Sequence, residues 1–128
     1  MNLKHIGIFW GKVVKGKKRG KSLGFPTANV KLHRDIADGI YISLATIDKH
    51  QYPALTFIGA AKTFREKDVK AETHLLSFRE NIYGKRISVR LLVKIRGNQN
   101  FKSAKMLVLQ MKRDKQIAEE YFKTTKYV

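Results

Sequence analysis

Residues 11–29, GKVVKGKKRGKSLGFPTAN, interleave glycines with cations and then turn abruptly into Phe25-Pro26-Thr27-Ala28-Asn29. Glycines let backbone N–H groups approach an anion closely, and Lys17, Lys18, Arg19 and Lys21 add positive charge. Gly16–Gly24 therefore suits a loop that wraps phosphates. The run Gly16-Lys17-Lys18-Arg19-Gly20-Lys21-Ser22 has one residue too few between its glycines for a P-loop. Gly24 and Pro26 also oppose the helix into which a P-loop leads, so that fold is excluded while its chemistry is not. Proline fixes its own φ and pushes Phe25 toward an extended conformation. We read Pro26–Asn29 as a rigid turn presenting the Thr27 hydroxyl and the Asn29 amide. Magnesium accepts such hard oxygens and keeps its other positions for water and phosphates. For both residues to serve one ion, the segment is expected to bend, or one residue to offer its carbonyl. The alternatives are a basic hairpin without a ligand, and a Thr and Asn that only hydrogen-bond a turn.

Phosphate chemistry also needs a proton acceptor, and only ten residues are acidic. Glu66, Asp68, Glu80, Glu119 and Glu120 stand in polar surroundings, and Asp35 and Asp38 fall in a loop. Glu72 differs: Ala71-Glu72-Thr73-His74-Leu75-Leu76 reads as a strand carrying a carboxylate among apolar neighbours. Partial burial would raise its pKa and make it a better base near neutral pH; the alternative is a salt bridge to one of the many lysines. His5, His33, His50 and His74 show no metal-ligand spacing, and neither a cysteine nor a G-x-S-x-G elbow is present. Zinc chemistry and covalent catalysis are thereby disfavoured.

The elements that must position these groups are mostly strands. In Arg86–Ile95, Ile87, Val89, Leu91, Val93 and Ile95 alternate with Ser88, Arg90, Leu92 and Lys94, close to a strict period of two. Strand-like runs also cover His5–Val14, Gly39–Ile47, Tyr52–Ile58 and Ala71–Phe78, with Asp48–Gln51 as a hairpin connection. Ala104, Leu107, Val108, Met111, Ala118 and Phe122 follow helical spacing, and Ser103 is a suitable N-cap. The expected fold is mainly β: five or six antiparallel strands closed into a barrel, with one C-terminal helix packed outside.

With 128 residues the chain is expected to be one domain, residues 1–128, and 43% hydrophobic residues argue against disorder. No apolar run is long enough to span a membrane and no secretory signal is apparent, so a cytoplasmic location is the expectation. The net charge of +17 admits a nucleic-acid partner, but the cations run from Lys4 to Lys126 and only Lys15–Lys21 is dense. That cluster contains no aromatic on which bases could stack. Nucleic acid is therefore expected to bind nonspecifically if at all, and a monomer is expected of a closed barrel.

The string GKVVKGKKRGKSLGFPTAN closely resembles the start of the riboflavin kinase (flavokinase) domain. Four further blocks follow in that family's order: Asp38-Gly39-Ile40-Tyr41; Ile58-Gly59 with Thr63-Phe64; Glu72–Leu76 leading to Ile82-Tyr83-Gly84; and Ile95-Arg96 with Phe101, Ser103, Leu107, Gln110 and Asp114. The resemblance implies a six-stranded antiparallel barrel with a C-terminal helix, and ATP-dependent phosphorylation of the riboflavin ribityl 5′-hydroxyl to give FMN and ADP. It implies that Thr27 and Asn29 hold magnesium or another divalent cation together with the phosphates. Gly16, Lys17, Lys18, Gly20, Lys21, Gly24 and Pro26 would belong to a flap over those phosphates. Glu72 would be the general base, and Tyr83, Gly84, Arg96 and Phe101 would border the flavin. The family commonly has Asn where this chain has Phe57 and a proline where it has Lys62, so the loop Phe57–Lys62 is altered. No adenylyltransferase module is expected ahead of Met1, and the product is expected to be FMN. Two other readings compete: a basic barrel that binds nucleic acid, and a flavin- or nucleotide-binding relative without turnover.

Overall fold

A computed structural model describes residues 6–14, 27–33, 35–59, 69–77 and 81–125. The glycine-rich stretch 16–24, Pro26 and residues 60–62 lie outside the described residues. Six strands and one helix follow in order: β1 (Gly7–Lys12), β2 (Thr27–Leu32), β3 (Gly39–Ile47), β4 (His50–Ile58), β5 (Val69–Leu75), β6 (Arg86–Arg96) and α1 (Ala104–Thr124). They form one antiparallel sheet in the order β1-β6-β3-β4-β5-β2. Beyond β1, the Val14 N–H donates to the Asn29 carbonyl at 2.7 Å, so the sheet curls back on β2. The result is the expected six-stranded, nearly closed barrel with the helix outside.

Alternation decides what fills it. Phe9, Ala28, Val30, Tyr41, Ala45, Ala54, Ile58, Ala71, Leu75, Val89 and Leu91 belong to one buried cluster, the barrel interior. Barrel closure requires backbones to come close, and Gly11 supplies the room: a Cβ there would meet Val30 Cγ1 at 2.8 Å. The interior also carries a chain of hydroxyls, Ser43 to Thr56 at 2.8 Å and Thr56 to Thr73 at 2.9 Å, all fully buried. Each hydroxyl is satisfied by the next, which removes the cost of burying it. Ile40, Ile42, Leu55 and Ala118 form a second buried cluster, joined by Phe57, Leu76, Ile95, Tyr121 and Phe122, where α1 covers the outer sheet face. Ser103 caps the helix, its Oγ accepting from the Met106 N–H at 3.2 Å.

Three expectations need correction. Thr27–Leu32 is a regular strand, although Thr27-Ala28-Asn29 reads from the sequence as part of a turn. The hairpin between β3 and β4 uses only Asp48 and Lys49, both at positive φ (50° and 68°), while His50 and Gln51 pair with Ile47 and Thr46. Both central residues in the left-handed region is the pattern of a tight two-residue hairpin whose twist matches its strands. In β6 the strict alternation stops after Leu91, because the pairing with β3 shifts register between Ile40 and Tyr41 and again between Ile42 and Ser43. Leu92 becomes buried and Val93 exposed, the reverse of the periodicity.

Candidate active site

In an antiparallel sheet, residues directly opposite one another share a face, and so do residues two apart along a strand. Because Ala28 and Val30 point inward, Thr27 and Asn29 both point outward. No bend is needed to bring the hydroxyl and the amide to one side; the period of the strand does it. Across β5, Asn29 faces Glu72 and Thr27 faces His74. The pairing continues through β4 and β3 to β6 in two rows on the outer face: Asn29, Glu72, Phe57, Ile40, Arg96, and Thr27, His74, Leu55, Ile42, Val93. The proposed metal donors and the proposed base therefore come together.

Burial grades along the rows. Asn29 is only 5% exposed, the Glu72 side chain 13%, and His74 is fully buried. His74 Nε2 lies 3.5 Å from Glu72 Oε1, and the Phe57 ring stacks against the imidazole at 4.8 Å, tilted 40°. Phe57 thus belongs to strand β4 beside the carboxylate. The residues 60–62 that follow it in the altered segment are outside the described part.

Arg96 closes the first row. It grips the fully buried Asp114 of α1 with two hydrogen bonds, Nε to Oδ1 at 3.0 Å and Nη2 to Oδ2 at 2.7 Å. Gln110 Nε2 donates to the same Oδ1 at 3.1 Å. A forked, charge-assisted pair of this kind is among the stronger polar contacts in proteins. The guanidinium also stands 5.9 Å from the Phe101 ring centre, and Asn98 Nδ2 donates to the Ile58 carbonyl at 3.0 Å. The loop after β6 is thereby tied to both the sheet and the helix. Gly39, at φ +142°, makes room for it: a Cβ would lie 2.8 Å from the Arg96 carbonyl.

Tyr83 and Gly84 are placed elsewhere. The Gly84 N–H donates to the Val13 carbonyl at 3.1 Å, which sets them beside the β1 end and near Asn29. Arg96 ends the eleven-residue β6 and Phe101 lies beyond it, roughly 33 Å along the strand from Arg86. The two pairs of flavin candidates therefore stand at opposite ends of β6. The structure adds His74, Phe57 and Asp114 to the site. Strand parity would have paired His74 with Glu72, whereas a search for metal-ligand spacing passes over it.

Among the described residues no group of three or more His, Asp or Glu could hold a metal ion. The donor set at Thr27 and Asn29 is instead two neutral hard oxygens on one face, which suits a cation that takes most of its ligands from water and phosphates.

The structure thus places a hydroxyl, an amide and a carboxylate on one outer face of an antiparallel barrel. The riboflavin kinase family model matches residues 3–122, and the chain belongs to that family. It is 37% identical over 127 residues to the bifunctional riboflavin kinase/FMN adenylyltransferase of Escherichia coli (strain K12), covering 97% of this chain and 41% of that protein. It is 40% identical over 110 residues to the RNA-binding riboflavin kinase of Bacillus subtilis (strain 168), covering 84% and 47%. The chain thus spans less than half the length of these relatives. Among solved structures, riboflavin kinase from Trypanosoma brucei superposes with a TM-score of 0.62 at 26% identity, covering 91% of this chain and 80% of that one.

Proposed function

We propose that this chain transfers the γ-phosphoryl group of ATP to the ribityl 5′-hydroxyl of riboflavin, giving FMN and ADP. The observation that carries the reading is the convergence of Thr27, Asn29 and Glu72 on one outer face in a family of riboflavin kinases. Glu72 accepts the hydroxyl proton as the oxygen attacks the γ-phosphorus, and the bond to the bridging oxygen breaks with ADP leaving. Such a reaction depends on positioning and charge neutralisation more than on covalent help from the protein. A divalent cation supplies part of that neutralisation when bound, and Thr27 and Asn29 are the residues that would hold it. Gly16, Lys17, Lys18, Gly20, Lys21, Gly24 and Pro26 are proposed to cover the phosphates. Arg96 and Phe101, in the row of Glu72, are proposed as the flavin side, with Arg96 acting through the loop it anchors to Asp114. Tyr83 and Gly84 border the Asn29 end.

The test is incubation with riboflavin, Mg²⁺ and ATP, with FMN followed by chromatography. Formation of FMN that requires all three supports the reading. No FMN would overturn it, and flavin binding without turnover would mark a relative that has lost catalysis.

We further propose a monomer in the cytoplasm. The Val14–Asn29 bridge draws the two edge strands of the sheet toward each other, which favours closure over pairing with another copy, and no described helix is long and apolar enough to cross a membrane.

One surface feature favours some contact with nucleic acid. Trp10, 58% exposed on the outer face of β1, stands opposite Ser88, with Lys12 two residues along β1 and Arg86 and Arg90 on the neighbouring strand. An aromatic among cations on a sheet face is a platform for stacking single-stranded bases. Trp10 is the sole tryptophan. Quenching of its fluorescence by oligouridylate and not by heparin would support stacking; equal responses would reduce the contact to charge alone.

A further inference from the structure

β5 projects Glu72 and His74 from the same side of the barrel, and the contact between them asks more of the imidazole than filling space. His74 Nε2 is 3.5 Å from Glu72 Oε1, an oxygen that is itself buried. The imidazole is fenced on three sides: by Leu55 opposite on β4, by Thr27 opposite on β2, and by the Phe57 ring at 4.8 Å. Phe57 is the cross-strand partner of Glu72, so its contact with His74 is diagonal, within reach of aromatic side chains across a strand pair. A glutamate has three rotatable torsions, and as a base it works only where an oxygen is aimed at the hydroxyl.

We propose that His74, held by Phe57, is a positioning residue for Glu72: it fixes Oε1 so that Oε2 faces the hydroxyl to be deprotonated. This rests on Glu72 being the general base. With its hydrogen on Nε2, the imidazole donates to Oε1 and keeps that hydrogen throughout. The hydroxyl proton passes to Oε2, the hydroxyl oxygen bonds to the γ-phosphorus, and the bridging P–O bond breaks with its electron pair on ADP. A separation of 3.5 Å is long for a hydrogen bond. Catalytic hydrogen bonds are often long before substrate binds and tighten in the reactive complex.

The experiment measures single-turnover and steady-state kinetics of the full chain carrying His74→Leu, His74→Gln, Phe57→Leu, Glu72→Gln and the double changes Glu72→Gln/His74→Leu and Glu72→Gln/Phe57→Leu. His74→Leu should lower kcat about tenfold with KM for riboflavin and ATP within about twofold, and His74→Gln, which restores a donor, should recover most of the loss. Each double variant should be no slower than Glu72→Gln alone, since a residue acting through Glu72 has nothing left to act on. Phe57→Leu should cost about threefold, again only when Glu72 is present, and decides the matter if His74→Leu does not fold. Full kcat in His74→Leu, a loss that multiplies with that of Glu72→Gln, or no rescue by Gln would each overturn the proposal while sparing the base. Undiminished turnover in Glu72→Gln would overturn the base and the proposal together.

Discussion

Thr73 and its two neighbours, Glu72 and His74, differ by one step along β5 and by everything in their surroundings. Thr73 points into the barrel and ends a chain of buried hydroxyls in which each group is bonded at 2.8–2.9 Å. Glu72 and His74 point out toward the proposed substrate, and meet at a looser 3.5 Å. Tightly matched polarity holds register, because a slip of one residue would expose Thr73 and drive a carboxylate and an imidazole into the core. On the outer face Glu72 keeps 13% of its side chain exposed, whereas His74 is fully buried beside it. The same strand therefore serves stability on one face and chemistry on the other.

The sharpest way to break that contrast is Glu72→Gln. Removal of a general base should lower kcat by about 10²–10⁴-fold, while the urea midpoint changes little. A stability loss in place of the rate loss would erase the distinction. Asp114 sharpens it, since that carboxylate also lies on the outer side of the sheet yet is fully matched by Arg96 and Gln110. Asp114→Ala should behave as an interior change, costing about 3 kcal/mol in urea unfolding by leaving a cation without its partner. Thr56→Val interrupts the hydroxyl chain at its middle and should cost about 1–2 kcal/mol, with kcat per folded molecule nearly unchanged. The smallest effect belongs to Asp48, whose exposed carboxylate is held below the usual range by hydrogen bonding to Lys85 at 2.8 Å. That depressed pKa adds stability above the ordinary carboxylate range which is lost as the pH falls through the folded value. Solvent screening at so open a site should leave Asp48→Asn without a measurable change in urea midpoint at pH 7 or below pH 4.

Much of the fold was legible because period-two and helical patterns are local. The first half of β6 and the helix Ala104–Thr124 announce themselves through side-chain spacing, and Gly39–Ile47 through strand-forming residue types. β2 is hidden in the sequence because Thr27 and Asn29 are of turn-forming type and follow a proline, and only pairing with β5 makes Thr27–Leu32 an extended strand. The proposed donors Thr27 and Asn29 and the proposed base Glu72 can be named from residue type and resemblance. Their arrangement cannot, since it depends on a strand order, β1-β6-β3-β4-β5-β2, that is not the chain order. His74 was overlooked for a related reason: its partner is two residues away along one face, a relation that matters only once the segment is known to be a strand.

The two bulges in β6 give this arrangement an arithmetic. Arg90 pairs with Leu44, and an unbroken ladder would carry Arg96 opposite position 38; the bulges hold it opposite Ile40, in line with Glu72 and within reach of Asp114. Leu92 and then Ile95 are the residues left out of the pairing, so the residues beyond each keep their partners and their faces. Two single-residue steps thus lengthen β6 without turning Arg96 away from α1, and the strand absorbs added length one residue at a time where a regular ladder would reverse its faces.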